Sequence, residues 1–124
     1  MKENVLVMGA SMNPARYSFQ AMNMLIDYGH KVIGFGMKPA EIRGFKIVDV
    51  LPEIQGLDTV TMYLGPQNQA PYYDYIIGLK PKRVIFNPGT ENPEFYEKLS
   101  DAGIESEVAC TLVLLRTGQF QIDQ

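Results

Sequence analysis

The run Val5-Leu6-Val7-Met8, closed by Gly9-Ala10-Ser11 and followed at once by Met12-Asn13-Pro14, narrows the fold more than any other stretch of this chain. Four consecutive apolar residues ending at a glycine fit a buried strand of a helix-covered sheet. Gly9 lets the backbone turn sharply off that strand. Ser11 offers a hydroxyl and a backbone N–H, and Asn13 followed by Pro14 reads as a helix N-cap and first helical residue. Such a turn leaves N–H groups unpaired at the positive end of a helix dipole. An anion rich in oxygen acceptors fits there, and a pyrophosphate is the usual occupant. The fingerprint is incomplete, because Ser11 and Pro14 stand where the second and third glycines of G-x-G-x-x-G would fall. A plain strand-to-helix turn without a ligand is the competing reading.

The rest of the chain repeats the alternation. Phe19, Met22, Leu25 and Ile26 recur at three-and-four spacing, which predicts a helix over residues 14–28 stopped by Gly29. Lys31 to Gly36 is a second strand, so strand, helix and strand fit one βαβ unit. Residues 37–57 read as loop, with a short strand at Phe45–Val48 and a turn at Pro52–Gln55. Thr59–Leu64 is a third strand. Asn68 caps a following helix that tolerates Pro71 in its first turn, with Tyr72, Tyr73, Tyr75, Ile76 and Leu79 as half-buried packing. Val84–Phe86 is a fourth strand, and Asn92-Pro93 opens a helix that runs to Ala102 and stops at Gly103. Ile104–Val108 is a more polar fifth strand suited to an edge. Residues from Cys110 to Arg116 make a last helical turn ended by Gly118.

This pattern predicts a single α/β domain: a Rossmann-like open parallel sheet of about five strands with helices on both faces. A ligand of such a sheet sits beyond the carboxyl ends of the strands, where chain order reverses beside the first one. With strand order 3-2-1-4-5, the loop at 9–14 faces the loop at 87–91, and residues 36–39 flank them.

Composition removes several classes of function. Lys+Arg 11 against Asp+Glu 14 gives a net charge of −3 with no basic block, so nucleic acid is not an expected partner. No apolar stretch approaches the ~18 residues of a membrane span. A single cysteine, Cys110, forms no internal disulfide, and residues 1–4 lead straight into a strand with no cleavage-site pattern. A cytoplasmic protein is expected.

The end of the second strand discriminates among nucleotides. An NAD site carries an acidic residue there for the ribose hydroxyl. Here Gly36 and Met37 are neutral and Lys38 is a cation, which favours an extra phosphate: the 2′-phosphate of NADP or the 3′-phosphate of coenzyme A. A solvated loop lysine explains the residue equally well.

Taken in order, Gly9-Ala10-Ser11 with Pro14, Arg16 and Ser18, then Met22, Leu25, Asp27, Gly29 and Val32-Ile33, resemble the small stand-alone CoA-binding domain proteins. Lys38, Ile42 with Gly44, Pro52, Asp58, the Gly89 loop and Cys110 extend the resemblance over nearly the whole chain. It implies a domain similar to the CoA-binding domain of the succinyl-CoA synthetase α subunit, binding coenzyme A or an acyl-CoA. By that likeness Gly9, Ser11 and Arg16 hold the pyrophosphate, with Ala10 and Asn13 in the same loop. Lys38, with Pro39 beside it, faces the nucleotide phosphate, Asn87 and Gly89 line the pantetheine path, and Cys110 lies near its thiol end. Many relatives read Asn-Pro-Lys where this chain has Gly36-Met37-Lys38, and the apolar tail Thr111-Leu112-Val113-Leu114-Leu115 lacks their glutamate.

No catalytic constellation stands out. His30, the only histidine, falls at the end of the sheet opposite the crevice and reads as structural. One Cys and one His supply no zinc site. Cys110 reads either as an inert buried thiol or as a partner for a CoA thiol under oxidation. A non-catalytic CoA or acyl-CoA binding module, acting as carrier, sensor or partner of a larger enzyme, is the favoured function. A small NADP-dependent oxidoreductase is the alternative, although Tyr72, Tyr73 and Tyr75 are followed four residues on by Ile76, Ile77 and Leu79 and so form no Tyr-x-x-x-Lys pair. A protein-interaction domain with a vestigial nucleotide site, using the tyrosines and the apolar tail, is the third reading. A homodimer or an enzyme partner is compatible with each.

Overall fold

A computed structural model describes residues 2–122. The Val5–Met8 run forms the centre of strand β1 (Asn4–Met8), buried at every apolar position. It is followed by α1 (Tyr17–Asp27), β2 (Lys31–Phe35), β3 (Ala40–Ile42), β4 (Phe45–Val48) and β5 (Thr59–Met62). Then come α2 (Tyr73–Leu79), β6 (Arg83–Phe86), α3 (Pro93–Asp101), β7 (Glu105–Val108) and α4 (Thr111–Arg116). The strands form one sheet in the order β3-β4-β2-β1-β5-β6-β7, parallel throughout except for the β3–β4 pair.

The five main expected strands are therefore in the parallel sheet, the short strand expected at Phe45–Val48 is β4, parallel to β2, and β3, which the sequence did not suggest, closes a hairpin with it at one edge. Its turn, Arg43-Gly44, has both residues at positive φ (52° and 88°), the backbone a two-residue hairpin turn requires. The strand order differs from 3-2-1-4-5. The Thr59–Met62 strand lies next to β1, and β4 takes the place outside β2, which makes the core order 2-1-3-4-5. The reason is burial: all four residues of β5 are inaccessible, which demands a neighbour on each side and helices on both faces. By contrast, no residue of β7 is fully buried, its two ends being exposed and its middle two half-buried, as suits an edge strand.

Each face of the sheet has its own core. On one, Val5, Val7, Val32, Ile47 and Ile85 pack under Met22 and Leu25 of α1 and Leu114 and Leu115 of α4. On the other, Leu6, Met8, Val60, Val84 and Phe86 pack under Tyr73 and Ile76 of α2 and Phe95 and Leu99 of α3. Tyr72 and Tyr75 are half-buried beside this second cluster, and of the tail only Val113 and the polar residues after it face outward. The tyrosines of α2 and the apolar tail are thus committed to the domain's own core.

Two helix starts differ from expectation. Asn13 Oδ1 accepts the Ala15 N–H (3.0 Å) and the Asn13 carbonyl accepts the Arg16 N–H (3.0 Å), so Asn13-Pro14 builds a separate turn. Helix α1 begins only at Tyr17, with extended Arg16 as its N-cap. A short Asn side chain serves a local turn as readily as a helix cap. After β5, Pro66 and Pro71 each open a 3₁₀ turn (Pro66–Asn68 and Ala70–Tyr72), Asn68 caps nothing, and α2 starts at Tyr73. Proline inside the segment removes a donor and prevents one continuous helix. Asn92-Pro93 behaves as expected: Asn92 Oδ1 accepts the Phe95 N–H at 3.2 Å and Pro93 is the first residue of α3.

Candidate functional site

The loops after β1, β2, β5, β6 and β7 all emerge at the carboxyl edge of the sheet. Chain order reverses between β1 and β5, because β1 leads to β2 on one side while β5 lies on the other. An open α/β sheet leaves its crevice at this point.

Gly9 has φ +92°, and a Cβ there would stand 3.1 Å from the Tyr63 backbone, so a side chain is excluded by both conformation and space. The Gly9 and Ala10 N–H groups both donate to the Phe35 carbonyl (2.9 Å each), and the Asn13 N–H donates to Ser11 Oγ (3.0 Å). Among the described residues, the backbone N–H groups of Ser11 and Met12 are the ones in this turn with no protein acceptor. The donor set facing the crevice is thus smaller than the sequence suggests, and two members of the Gly-Ala-Ser turn hold β2 instead.

Two cations border it. Arg16, at the N-cap of α1, and Lys38, in the loop after β2, are both exposed, and their side chains have no ion-pair or hydrogen-bond partner among the described residues. Pro39 is exposed beside Lys38. Gly36, two residues before Lys38, is buried against β1, and a Cβ there would collide with the Ala10 carbonyl oxygen. Residues Gly9 to Arg16 and Gly36 to Pro39 therefore form one contiguous rim.

Asn87, the first residue after β6, is engaged within the protein. It is 2% exposed, and its Nδ2 donates to Thr61 Oγ1 (2.7 Å) and the Met62 carbonyl (2.9 Å). Its Oδ1 accepts the Thr111 N–H (2.8 Å), while Thr61 and Thr111 hydroxyls meet at 2.8 Å. Every polar atom of this side chain is engaged, so it fixes the start of α4 to the ends of β5 and β6. Gly89, at φ +93°, is exposed, and its N–H donates to Glu91 Oε1 (2.9 Å). Cys110 is half-buried at the N-cap of α4.

Three residues that sequence reasoning passed over complete the scaffold. Tyr63, just beyond β5, is half-buried, and burial pushes its pKa up to about 12, which keeps its hydroxyl neutral. Gln69 is fully buried, donates to the Leu64 and Thr90 carbonyls (2.9 and 2.8 Å) and accepts from Asn92 Nδ2 (2.9 Å), tying the β5 loop to the β6 loop. Thr61 gave one signal, a hydroxyl within an apolar strand. Tyr63 and Gln69 gave none, since both resemble ordinary loop residues. His30 is buried at the opposite end of the sheet, away from this rim. Among the described residues no group of acidic, His or Cys side chains is arranged to hold a metal, and no helix is long and apolar enough to cross a membrane.

These features define a doubly wound α/β domain with a Rossmann-like crevice at its switch point. The chain belongs to the CoA-binding domain family, whose model matches residues 3–116. A solved structure described as an uncharacterized protein is 48% identical, with a TM-score of 0.93 over 97% of this chain and 99% of that one. A protein from Thermus thermophilus is 23% identical, with a TM-score of 0.83 over 96% of this chain and 91% of its own. A dinucleotide-forming acetyl-coenzyme A synthetase 1 from Ca. Korarchaeum cryptofilum, in complex with phosphate and ADP, shares the fold at 19% identity and a TM-score of 0.66. That match covers 84% of this chain and 25% of the synthetase. No curated protein matches the chain.

Proposed function

We propose that the protein binds coenzyme A or an acyl-CoA, without catalysing its conversion, along the carboxyl edge of the sheet as a carrier, sensor or partner module. The observation that carries this reading is the pair of unpartnered cations, Arg16 and Lys38, on one rim with the Ser11 and Met12 N–H groups. Arg16 at the N-terminus of α1 suits a pyrophosphate, to which a guanidinium donates bidentately. Lys38, across the Gly36–Ala10 contact, suits the separate phosphate on the ribose. Asn87 takes no part as a ligand contact; it positions α4, while Gly89 and the half-buried Cys110 border the path of the pantetheine arm. Membership of the family supports the ligand class.

A thermal-shift panel tests this. A ligand at a hundredfold its Kd stabilises by about 2.7 kcal/mol, which a melting curve resolves. Coenzyme A is expected to raise the midpoint more than dephospho-CoA does, and Lys38→Ala is expected to abolish that difference. A shift with NADP alone supports the oxidoreductase instead. No shift with any nucleotide, from protein shown to be free of bound ligand, rejects a nucleotide site.

A further inference from the structure

The charges at the carboxyl edge are sorted by position. On the β1–β2 side stand Arg16 and Lys38, with Asp49 beyond them at the end of β4. On the β5–β7 side, the loops at 63–72, 87–92 and 109–110 and the first turns of α2, α3 and α4 contain Asp74, Glu91 and Glu94 and no basic residue. Of the cations of that half, Lys80, Lys82, Arg83 and Arg116 lie at helix ends or strand starts, toward the other edge of the sheet, while the Lys98 ammonium reaches back over the Tyr73 ring (6.0 Å to its centre), the residue that donates to Glu94. Two of the three carboxylates are held in place: Glu91 Oε1 accepts the Gly89 N–H (2.9 Å), and Glu94 Oε2 accepts the Tyr73 hydroxyl (3.0 Å).

A ligand crossing this edge meets a gradient. With strands spaced ~4.8 Å apart, the step from β2 to β6 is about 14 Å, a span that an extended pantetheine arm covers. A molecule whose phosphates rest on Arg16 and Lys38, as proposed above, is long enough to bring its thiol end to the Gly89–Glu91 loop. That loop carries one carboxylate and no basic residue of its own to pair a second anion.

We propose that the site selects its cargo by charge: it takes coenzyme A with a free thiol or an uncharged acyl group, and it discriminates against acyl groups that end in a carboxylate. This inference rests on the CoA reading above and adds the acyl class to it. The element responsible is repulsive, which is how a site rejects a near-isostere that its attractive contacts accept. Glu91 is the specificity-determining residue because the Gly89 N–H fixes it beside the end of the arm.

The test is calorimetric titration with three ligands: coenzyme A, butyryl-CoA and succinyl-CoA. The two thioesters have four-carbon acyl chains and differ in a terminal carboxylate. Butyryl-CoA is expected to bind with an affinity close to that of coenzyme A, and succinyl-CoA about three- to tenfold more weakly at low salt, the scale of one like-charge contact at a protein surface. The contrast should shrink as added salt shortens the screening length. Glu91→Gln, which keeps the acceptor for the Gly89 N–H, should bring the ratio toward one, and Glu91→Lys should invert it. Succinyl-CoA binding within twofold of butyryl-CoA, or a ratio untouched by Glu91→Lys, overturns the charge selection while leaving CoA binding intact. If none of the three ligands binds, both readings fall together.

Discussion

The two edges of the sheet are built from the same strands and treat polar groups in opposite ways. At the amino edge, Arg83 is 4% exposed and its side chain is fully engaged. Its Nε donates to Thr59 Oγ1 (2.9 Å), one terminal nitrogen to Glu107 (2.8 Å) and the other to the Phe120 carbonyl, with Glu3 at 3.5 Å. Glu3 in turn accepts from the Thr59 hydroxyl (2.6 Å) and the Ile122 N–H (2.9 Å). His30 Nδ1 accepts the Glu3 N–H (3.0 Å), and its ring lies against Phe120. At the carboxyl edge, Arg16 and Lys38 stand in solvent without partners. A closed network pins the C-terminal segment under the sheet, while the cations of the carboxyl edge are left to solvent. Buried charge here marks the edge opposite the switch-point crevice.

Breaking the closed edge should give the largest effect. Arg83→Ala leaves Glu3 and Glu107 facing each other without their cation, and removal of one partner from a buried ion pair costs about 3–5 kcal/mol. Urea denaturation should show that loss as a lower midpoint. A fall of less than 1 kcal/mol would mean that the network is dispensable.

Next in size is the strut between the edges' contents, Asn87→Ala. It strands the Thr111 N–H and the Met62 carbonyl and opens a small void, for about 2–3 kcal/mol. Because Asn87 sets the start of α4, the variant should also bind CoA more weakly even where it is folded, and titration of folded protein at low temperature measures that. Unchanged affinity would show that α4 is not part of the site.

The smallest effect sharpens the comparison through pH. Burial lowers the His30 pKa below the ordinary 6.5, although the Glu3 carboxylate opposes the shift, and the Glu3 N–H on Nδ1 requires that nitrogen unprotonated. The unfolded chain then binds the proton more readily, so this contribution to stability is complete above pH 6.5 and is lost as pH falls below it. In His30→Asn an amide oxygen can take the Glu3 N–H. The wild type should lose more stability than this variant between pH 7 and 5, and parallel curves would rule out His30 as the source.

How much of this was legible in the sequence depended on range. The strands at Val5–Met8, Thr59–Met62 and Val84–Phe86 announce themselves because burial on both faces leaves only apolar or β-branched residues. Asn92-Pro93 was readable as a cap because capping is decided within three residues. Asn13-Pro14 carries the same local signature and does something else, since an Asx turn uses the same atoms. Strand order was not readable: whether Thr59–Met62 lies beside β1 or beyond β2 depends on contacts more than fifty residues apart. For the site, the glycine turn and Lys38 stood out by residue type. The bracing of β5, β6 and α4 by Asn87 was not readable, because an amide beside a ligand and an amide that ties backbone segments together are spelled the same way. Arg83 gave no sign in the sequence that it would be buried, since a charged residue at a strand start is ordinarily solvated.

The contact between Gly36 and the Ala10 carbonyl has a mechanical meaning. The Phe35 carbonyl receives both the Gly9 and the Ala10 N–H, and Gly36 presses on Ala10 from the other side. The two loops are therefore clamped peptide to peptide, with no side chain between them to act as a spring. A displacement of Gly36 is delivered directly to the turn after β1, and these two segments move as one lever. Opening Gly36 away from Ala10 requires the Phe35 carbonyl to give up its bonds to Gly9 and Ala10.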